Sequence, residues 1–319
     1  MQGMTVLQRH ESEAVVCAPL RDFDDLNEEE MKNGFAVSIA GSPHLGGVSA
    51  YQQGANAVMT AIQKVAATGA FPRSLTDCLN YGNPEISEDM GKFVAGITGV
   101  ADSAKNIHLF EYQDEPTPFI SGNVSLYKRG NPMAGVSCVG MIANTDDATG
   151  NIPQSGEISV LIGTRPHQIG GTEFSASQNI ENTAPYAIDF ADAEKNTFLI
   201  LEGNKKQLFN SVSVIDKGGL VNTLVQSVLR GEKNLGFSGD FQKFSTGELF
   251  SEGNGFLVSI SPEKLPELEA LAVLKKVEIS VLGEFNSSEE NPKISGKIFT
   301  LDRNSLEAKW KAGLRGEVF

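Results

Sequence analysis

Apolar residues recur at helical spacing in two long stretches of the first 110 or so residues, and runs with strand character separate them. Over Gln53 to Thr68, Ala57, Val58, Ala61, Ile62 and Val65 share one helical face, and Gly69 follows where a helix commonly ends in the left-handed region. Over Ser87 to Lys105, Phe93, Ile97, Val100 and Ala104 do the same. Strands are predicted at Gln2 to Leu7, Glu13 to Ala18, Gly34 to Ala40, Arg73 to Leu79 and Gly135 to Ala143, so the order from Gln53 onward is helix, strand, helix, strand. The acidic segment Asp22 to Lys32 predicts a solvated loop. Asn106 to Pro118, with three acidic residues and two prolines, predicts a loop leading into a strand at Phe119.

Asn144 to Gly156 is rich in turn formers and has no periodicity, which predicts a boundary between domains spanning 1–150 and 151–319. The second region carries strand patterns at Glu157 to Gly163, Phe256 to Ile260, near Val277 to Leu282 and Lys293 to Phe299. Its helical patterns lie at Gly218 to Leu229, Pro262 to Lys276 and Asn304 to Gly313. The fold class expected is mixed α/β in two domains.

Composition narrows the function. A length of 319 residues suits two domains, and 40% hydrophobic with 21% charged residues is ordinary globular usage. No apolar run is long enough for a bilayer and no secretory pattern opens the chain, so the expectation is a cytoplasmic protein without a membrane partner. A net charge of −14 opposes attraction to a polyanion, so no nucleic-acid partner is expected. Cys17, Cys78 and Cys138 are odd in number and widely spaced, which suits reduced thiols. His10, His44, His108 and His167 form no zinc spacing.

Two strand ends hold unusual chemistry. Ile120-Ser121-Gly122-Asn123-Val124-Ser125-Leu126-Tyr127 places Ser, Gly, Asn and Ser between apolar flanks, a combination that weakens a strand unless something approaches its backbone. Gly122 permits that approach, and Asn123 offers a carbonyl oxygen of the kind Mg²⁺ accepts beside phosphate oxygens. Ser125 projects to the same strand face as Asn123. Upstream, Thr76-Asp77-Cys78-Leu79-Asn80-Tyr81-Gly82-Asn83-Pro84-Glu85 has the same peculiarity. A polar turn is the plain alternative for each.

Together, "GAFPRSLTDCLNYGNPE" and "SGNVSLY" resemble the second half of formylglycinamidine ribonucleotide (FGAM) synthase, the large synthase subunit of purine biosynthesis. The likeness is strongest from Gly54 to Tyr127 and continues from Glu157 to Trp310, through Gly170 to Phe174 and Leu249-Phe250-Ser251-Glu252. A "QGxTV" strand near the start of the family's second half matches Gln2 to Val6, so the chain resembles that half as a split subunit or a fragment. The resemblance implies a PurM-like N-terminal domain whose barrel-forming sheet is shared with another half, followed by a PurM-like C-terminal α/β domain. It implies ATP- and Mg²⁺-dependent conversion of FGAR to FGAM in a site between halves, with ammonia from a glutaminase subunit. Residue by residue, Asp77 and Gly122 match ATP-contacting positions, Asn123 a magnesium ligand and Ser125 a contact to FGAR.

The catalytic histidines belong to the family's first half and have no counterpart here, so activity is expected only with a first-half subunit. A self-dimer across the first domain is the alternative assembly. Large members of the family also carry an auxiliary nucleotide site, whose metal ligands correspond to Thr60, Lys64 and Val214, with Ser49 near a fourth. None of these is a carboxylate, so that site is expected to be lost, with Asp216 as the single nearby acid. Two other readings stay open at this point: a non-catalytic structural or regulatory paralogue, and a homodimeric enzyme like aminoimidazole ribonucleotide synthetase.

Overall fold

The computed structural model describes residues 2–8, 10–126, 130–181, 183–290 and 292–313. Tyr127, the last residue of the second motif, lies outside them. In chain order the elements begin with β1 (Thr5–Leu7), β2 (Val15–Cys17), α1 (Glu28–Lys32), β3 (Gly34–Ala40), α2 (Pro43–Val48) and α3 (Ala50–Ala67). They continue with β4 (Phe71–Asn80), α4 (Ser87–Asn106), β5 (Phe119–Ser125) and β6 (Met133–Ile142). Then come β7 (Ile158–Ile162), α5 (Glu173–Ser177), α6 (Phe190–Lys205), β8 (Ser211–Val214), α7 (Gly219–Arg230) and β9 (Leu235–Gly239). The last are α8 (Thr246–Phe250), β10 (Phe256–Ile260), α9 (Leu265–Lys275), β11 (Ile279–Ser287), β12 (Lys293–Ser295), β13 (Thr300–Asp302) and α10 (Arg303–Ala312).

The strands form two sheets. One has six strands in the order β1-β2-β3-β6-β4-β5, and the other has seven in the order β13-β12-β9-β11-β7-β10-β8. Among the described residues the first sheet is open: β1 and β5 are its edges, and it does not close into a barrel. The segment 22–32 departs from the loop expected of it, because Asn27 and Glu30 form a reciprocal capping box that nucleates the short α1.

Helix α3 is the element both sheets share. Fifteen of its 18 residues are buried, far more than one apolar stripe supplies, so polar side chains must find partners inside. Gln53 does so by donating to the Ala134 carbonyl at 2.8 Å and accepting from the Ala134 N–H at 2.7 Å, which pins the helix to β6. Gln63 donates to Asn254 at 2.7 Å and so reaches the second region. On its apolar side, Val58, Ala61, Ile62 and Val65 pack with Ala36, Leu75, Val136 and Cys138 of the first sheet. The pairing of α4 with α3 is close because glycines remove side chains: a Cβ on Gly99 would stand 2.0 Å from the Tyr51 carbonyl oxygen, and one on Gly54 would stand 2.2 Å from that of Gly96.

The two faces of the first sheet differ. Phe35, Val37, Ile39, Val139 and Met141 project away from the helices by strand alternation, and Ile39 is 74% and Met141 48% exposed. The second sheet is covered on both sides. Val160, Val212, Phe256 and Val258 pack with Leu199, Leu268 and Leu271 on one face, while Leu161, Phe237, Leu257 and Phe285 pack with Leu220, Leu224 and Val228 on the other. That is why the β10 sequence reads as an unbroken buried run.

Candidate functional site

Most of the first sheet is antiparallel, but β4 and β5 are parallel, joined through α4 and the 107–118 connection. Parallel pairing brings the C-terminal ends of both strands to the same end of the sheet, and the two polar motifs are those ends. In register, Asp77 faces Gly122, Cys78 faces Asn123 and Asn80 faces Ser125. The Tyr81 N–H closes the pair by donating to the Ser125 carbonyl at 2.9 Å.

Strand alternation divides the motif residues between two faces. Asp77 and Gly122 share the face that Leu75 and Leu79 also occupy, and a Cβ on Gly122 would stand 2.5 Å from Asp77 Oδ1. The glycine is therefore the space in which the carboxylate lies. Burial raises the Asp77 carboxyl above its ordinary range, partly opposed by the hydrogen bond it accepts from the Asn123 N–H. Asn123 and Ser125 project from the opposite face, where Asn123 Nδ2 donates to Ser125 Oγ at 3.4 Å and the amide oxygen is not the atom engaged. Because β5 is an edge strand, exposed along most of its length, a ligand reaching over that edge meets both faces.

The loop after β4 is held from below. Tyr81 is 1% exposed and packs edge-on against Phe93, with ring centroids 5.2 Å apart. Its hydroxyl occupies the place of a side chain on Gly96 and has no hydrogen-bond partner among the described residues. Asp89 accepts from the Asn83 N–H at 3.1 Å and fills the space over Gly82. Nothing local in the sequence marks Tyr81 or Asp89 as supports of this loop. The four-residue spacing from Asp89 to Phe93 on α4 does not by itself reveal which loop a helix end will hold.

A cavity of about 420 Å³ lies elsewhere, between the segment preceding β2, the end of β3, α3 and the β8–α7 corner. Lys64, Val214 and Asp216 line it, as the auxiliary-site comparison expected, but so do Glu13, Lys217 and Arg230. Lys64 Nζ donates to Asp216 at 2.6 Å, and Arg230 lies 3.6 Å from Glu13. Asn151 donates to Glu13 at 3.0 Å. Ser49 belongs to no such group: it is the N-cap of α3, accepting from Gln52 N–H, and stands about 22 Å along the helix from Lys64. Thr60 is buried with its hydroxyl unpartnered among the described residues. Among the described residues no group of three or more His, Cys, Asp or Glu is placed to hold a metal ion. A lysine ammonium paired with the Asp216 carboxylate is not a ligand for Mg²⁺, so the residues of this cavity do not fit a metal-bound nucleotide.

Residues 30–142 match the family described as AIR synthase related protein, N-terminal domain. The chain is 29% identical over 327 aligned positions to the phosphoribosylformylglycinamidine synthase subunit PurL of Methanothrix thermoacetophila, covering 99% of this chain and 41% of that protein. Among solved structures, Thermotoga maritima PurL complexed with ADP superposes with a TM-score of 0.70 at 18% identity, over 93% of this chain and 46% of the other. The same protein complexed with FGAR gives 0.70 at 20% identity, over 86% and 46%. The chain thus spans about two fifths of the curated relative and just under half of the solved ones. No helix among the described residues is long and apolar enough to cross a membrane.

Proposed function

We propose that this chain, a synthase domain of the PurL/PurM-like kind, serves as the second half of an FGAM synthase. In that role it completes, with a first-half subunit, a site that converts FGAR to FGAM using ATP, Mg²⁺ and ammonia from a glutaminase subunit. The observation that carries the reading is the parallel register of β4 and β5, which brings Asp77, Gly122, Asn123 and Ser125 to one strand pair at an open sheet edge.

The chemistry of these side chains supports the reading. Bound ATP would supply the phosphoryl group that activates an amide oxygen for displacement, a reaction that depends on positioning and charge neutralisation. Asp77 and Gly122 act as one ATP-contacting pair, the glycine leaving the space that holds the Asp77 carboxylate at the strand edge, while Asn123 offers a hard oxygen to Mg²⁺ and Ser125 offers a hydroxyl to FGAR. We take residues 1–150 and 151–319 as the two domains, with a cytoplasmic location consistent with three free thiols. The exposed apolar face around Ile39 and Met141 is the surface that a partner half would cover to build a shared barrel, either as a first-half subunit or as a second copy.

The test mixes the protein with a first-half subunit, a glutaminase component, ATP, Mg²⁺, glutamine and FGAR, and follows FGAM. Asn123→Ala is expected to lower the rate at least about tenfold, a barrier change of about 1.4 kcal/mol. Turnover by this chain alone, or an unchanged rate in the variant, would overturn the reading.

A further inference from the structure

The cavity at the β8–α7 corner contains an alternating row of charges drawn from four separate parts of the chain. Arg230 of α7 stands 3.6 Å from Glu13, which precedes β2, and Lys64 of α3 donates at 2.6 Å to Asp216, which follows β8. The side chains are well covered, with 22% and 11% of Arg230 and Glu13 exposed, and 17% and 20% of Lys64 and Asp216. The two pairs interact: Lys64 and Asp216 both act electrostatically on Glu13. Two cations and two anions in the group balance one another, and Lys217 on the cavity wall adds a further positive charge. Asn151 secures Glu13, and Arg230 Nη2 is steadied by the Gln226 side chain at 2.9 Å.

We propose that Glu13, Lys64, Asp216 and Arg230 form an internal ion cluster that ties the segment before β2 to the C-terminal end of α7 and helix α3 to the β8–α7 corner, and that this cluster excludes any complex of a divalent cation with a nucleotide from the cavity. A divalent cation could link these segments only through oxygen ligands. Here an ammonium and a guanidinium make the links, and they repel the cation. Val214, buried in the core of the second sheet, contributes no oxygen beside them. This goes beyond the reading of the β4–β5 site and stands or falls separately from it.

The two consequences can be measured independently. In a double-mutant cycle of thermal unfolding, Lys64→Met and Asp216→Met should each lower Tm by at least about 3 °C, because each leaves a covered charge without its counterpart. The double variant should be more stable than the less stable single, since neither charge is then orphaned. If a single variant does not fold, recovery of a folded double variant serves as the same test. Singles within 1 °C of wild type, or a double variant that adds the two losses, would overturn the cluster. Crystals of the wild type soaked with ADP and Mg²⁺ should show no nucleotide against Lys64, Asp216 or Arg230, whether or not one is seen at Asp77 and Gly122. Nucleotide in contact with Lys64 or Arg230 would overturn the exclusion.

Discussion

The carboxylate of Asp77 occupies the volume that any side chain on Gly122 would need, with Oδ1 2.5 Å from the position of a Cβ. Strand register alone makes them neighbours, since the two are separated by 45 positions in sequence and paired across β4 and β5.

Gly122→Ala therefore tests the site with a single methyl group. The methyl should displace the Asp77 carboxylate while the strand pairing survives, because β5 is an exposed edge that can shift. ATP affinity measured by calorimetry in the assembled complex should fall about tenfold, or roughly 1.4 kcal/mol, with Tm within about 2 °C of wild type. Unchanged affinity would remove Gly122 from the ATP contacts.

The α3–α4 contact is a matter of stability and not of chemistry. Gly99→Ala puts a methyl against the Tyr51 carbonyl oxygen, a main-chain atom that cannot swing aside. The added helix propensity of alanine, about 1 kcal/mol, is outweighed by overpacking, so urea unfolding should show a net loss of about 1–2 kcal/mol. Gly91, where an added Cβ would meet no neighbouring element within 4 Å, provides the control: Gly91→Ala should stabilise.

Glu252 makes stability depend on pH. Its carboxyl is 2% exposed and accepts from the N–H groups of Glu173 at 2.6 Å and Gly218 at 2.9 Å. Burial pushes it up from 4.5 to about 7, with those two hydrogen bonds partly opposing. Between these values the folded chain holds more protons than the unfolded one, so stability falls as pH rises from about 4.5 through 7, by on the order of 3 kcal/mol at most. Glu13, also raised by burial, contributes with the same sign. Urea titrations at pH 5.5 and 8 should show this loss in the wild type and a clearly smaller one in Glu252→Gln.

The exposed face of the first sheet should matter only to assembly. Ile39→Asp places a charge where the side chain is already 74% exposed, so Tm of the isolated chain should change by less than about 2 °C. Sedimentation of the mixture with a first-half subunit, or of the chain alone if it pairs with itself, should show association weakened at least about tenfold. Undiminished association would mean that this face is not the one a partner covers.

The parts legible in sequence are those with a strong local signal, a spaced apolar stripe, an alternating strand or a glycine stop. The periodic stripe of α3, the stop at Gly69 and the strand from Gly34 to Ala40 all emerge where expected, Gly69 with a φ of +84°. Helix α6 was not foreseen, because Phe198-Leu199-Ile200-Leu201 is a continuous apolar run; the helix is buried against α3 and the second sheet together, so no single stripe marks it. The charge of the 22–32 segment suggests a loop and hides the Asn27–Glu30 cap that starts the short α1.

For the candidate site, the motifs could be found and the common face of Asn123 and Ser125 foreseen from their spacing by two. The parallel register that brings Asp77 over Gly122 could not, since it depends on a crossover of more than 30 residues. Glu13 and Arg230 were likewise invisible as partners: 217 positions separate them, and nothing local marks either as an ion-pair residue.

The 107–118 connection carries its own anchors, with Phe110 against Phe71 and Phe198 and the Arg73–Glu111 ion pair at its flank. What it must preserve is parity. A slip of β5 by one residue would turn Asn123 and Ser125 toward the helices and expel Gly122 from beneath Asp77, whereas extra residues at the exposed turn near Asp114 leave the pairing untouched. That turn is accordingly the place to splice in an affinity tag or a fluorescent reporter, because the strand beyond it keeps the same partners however long the detour becomes.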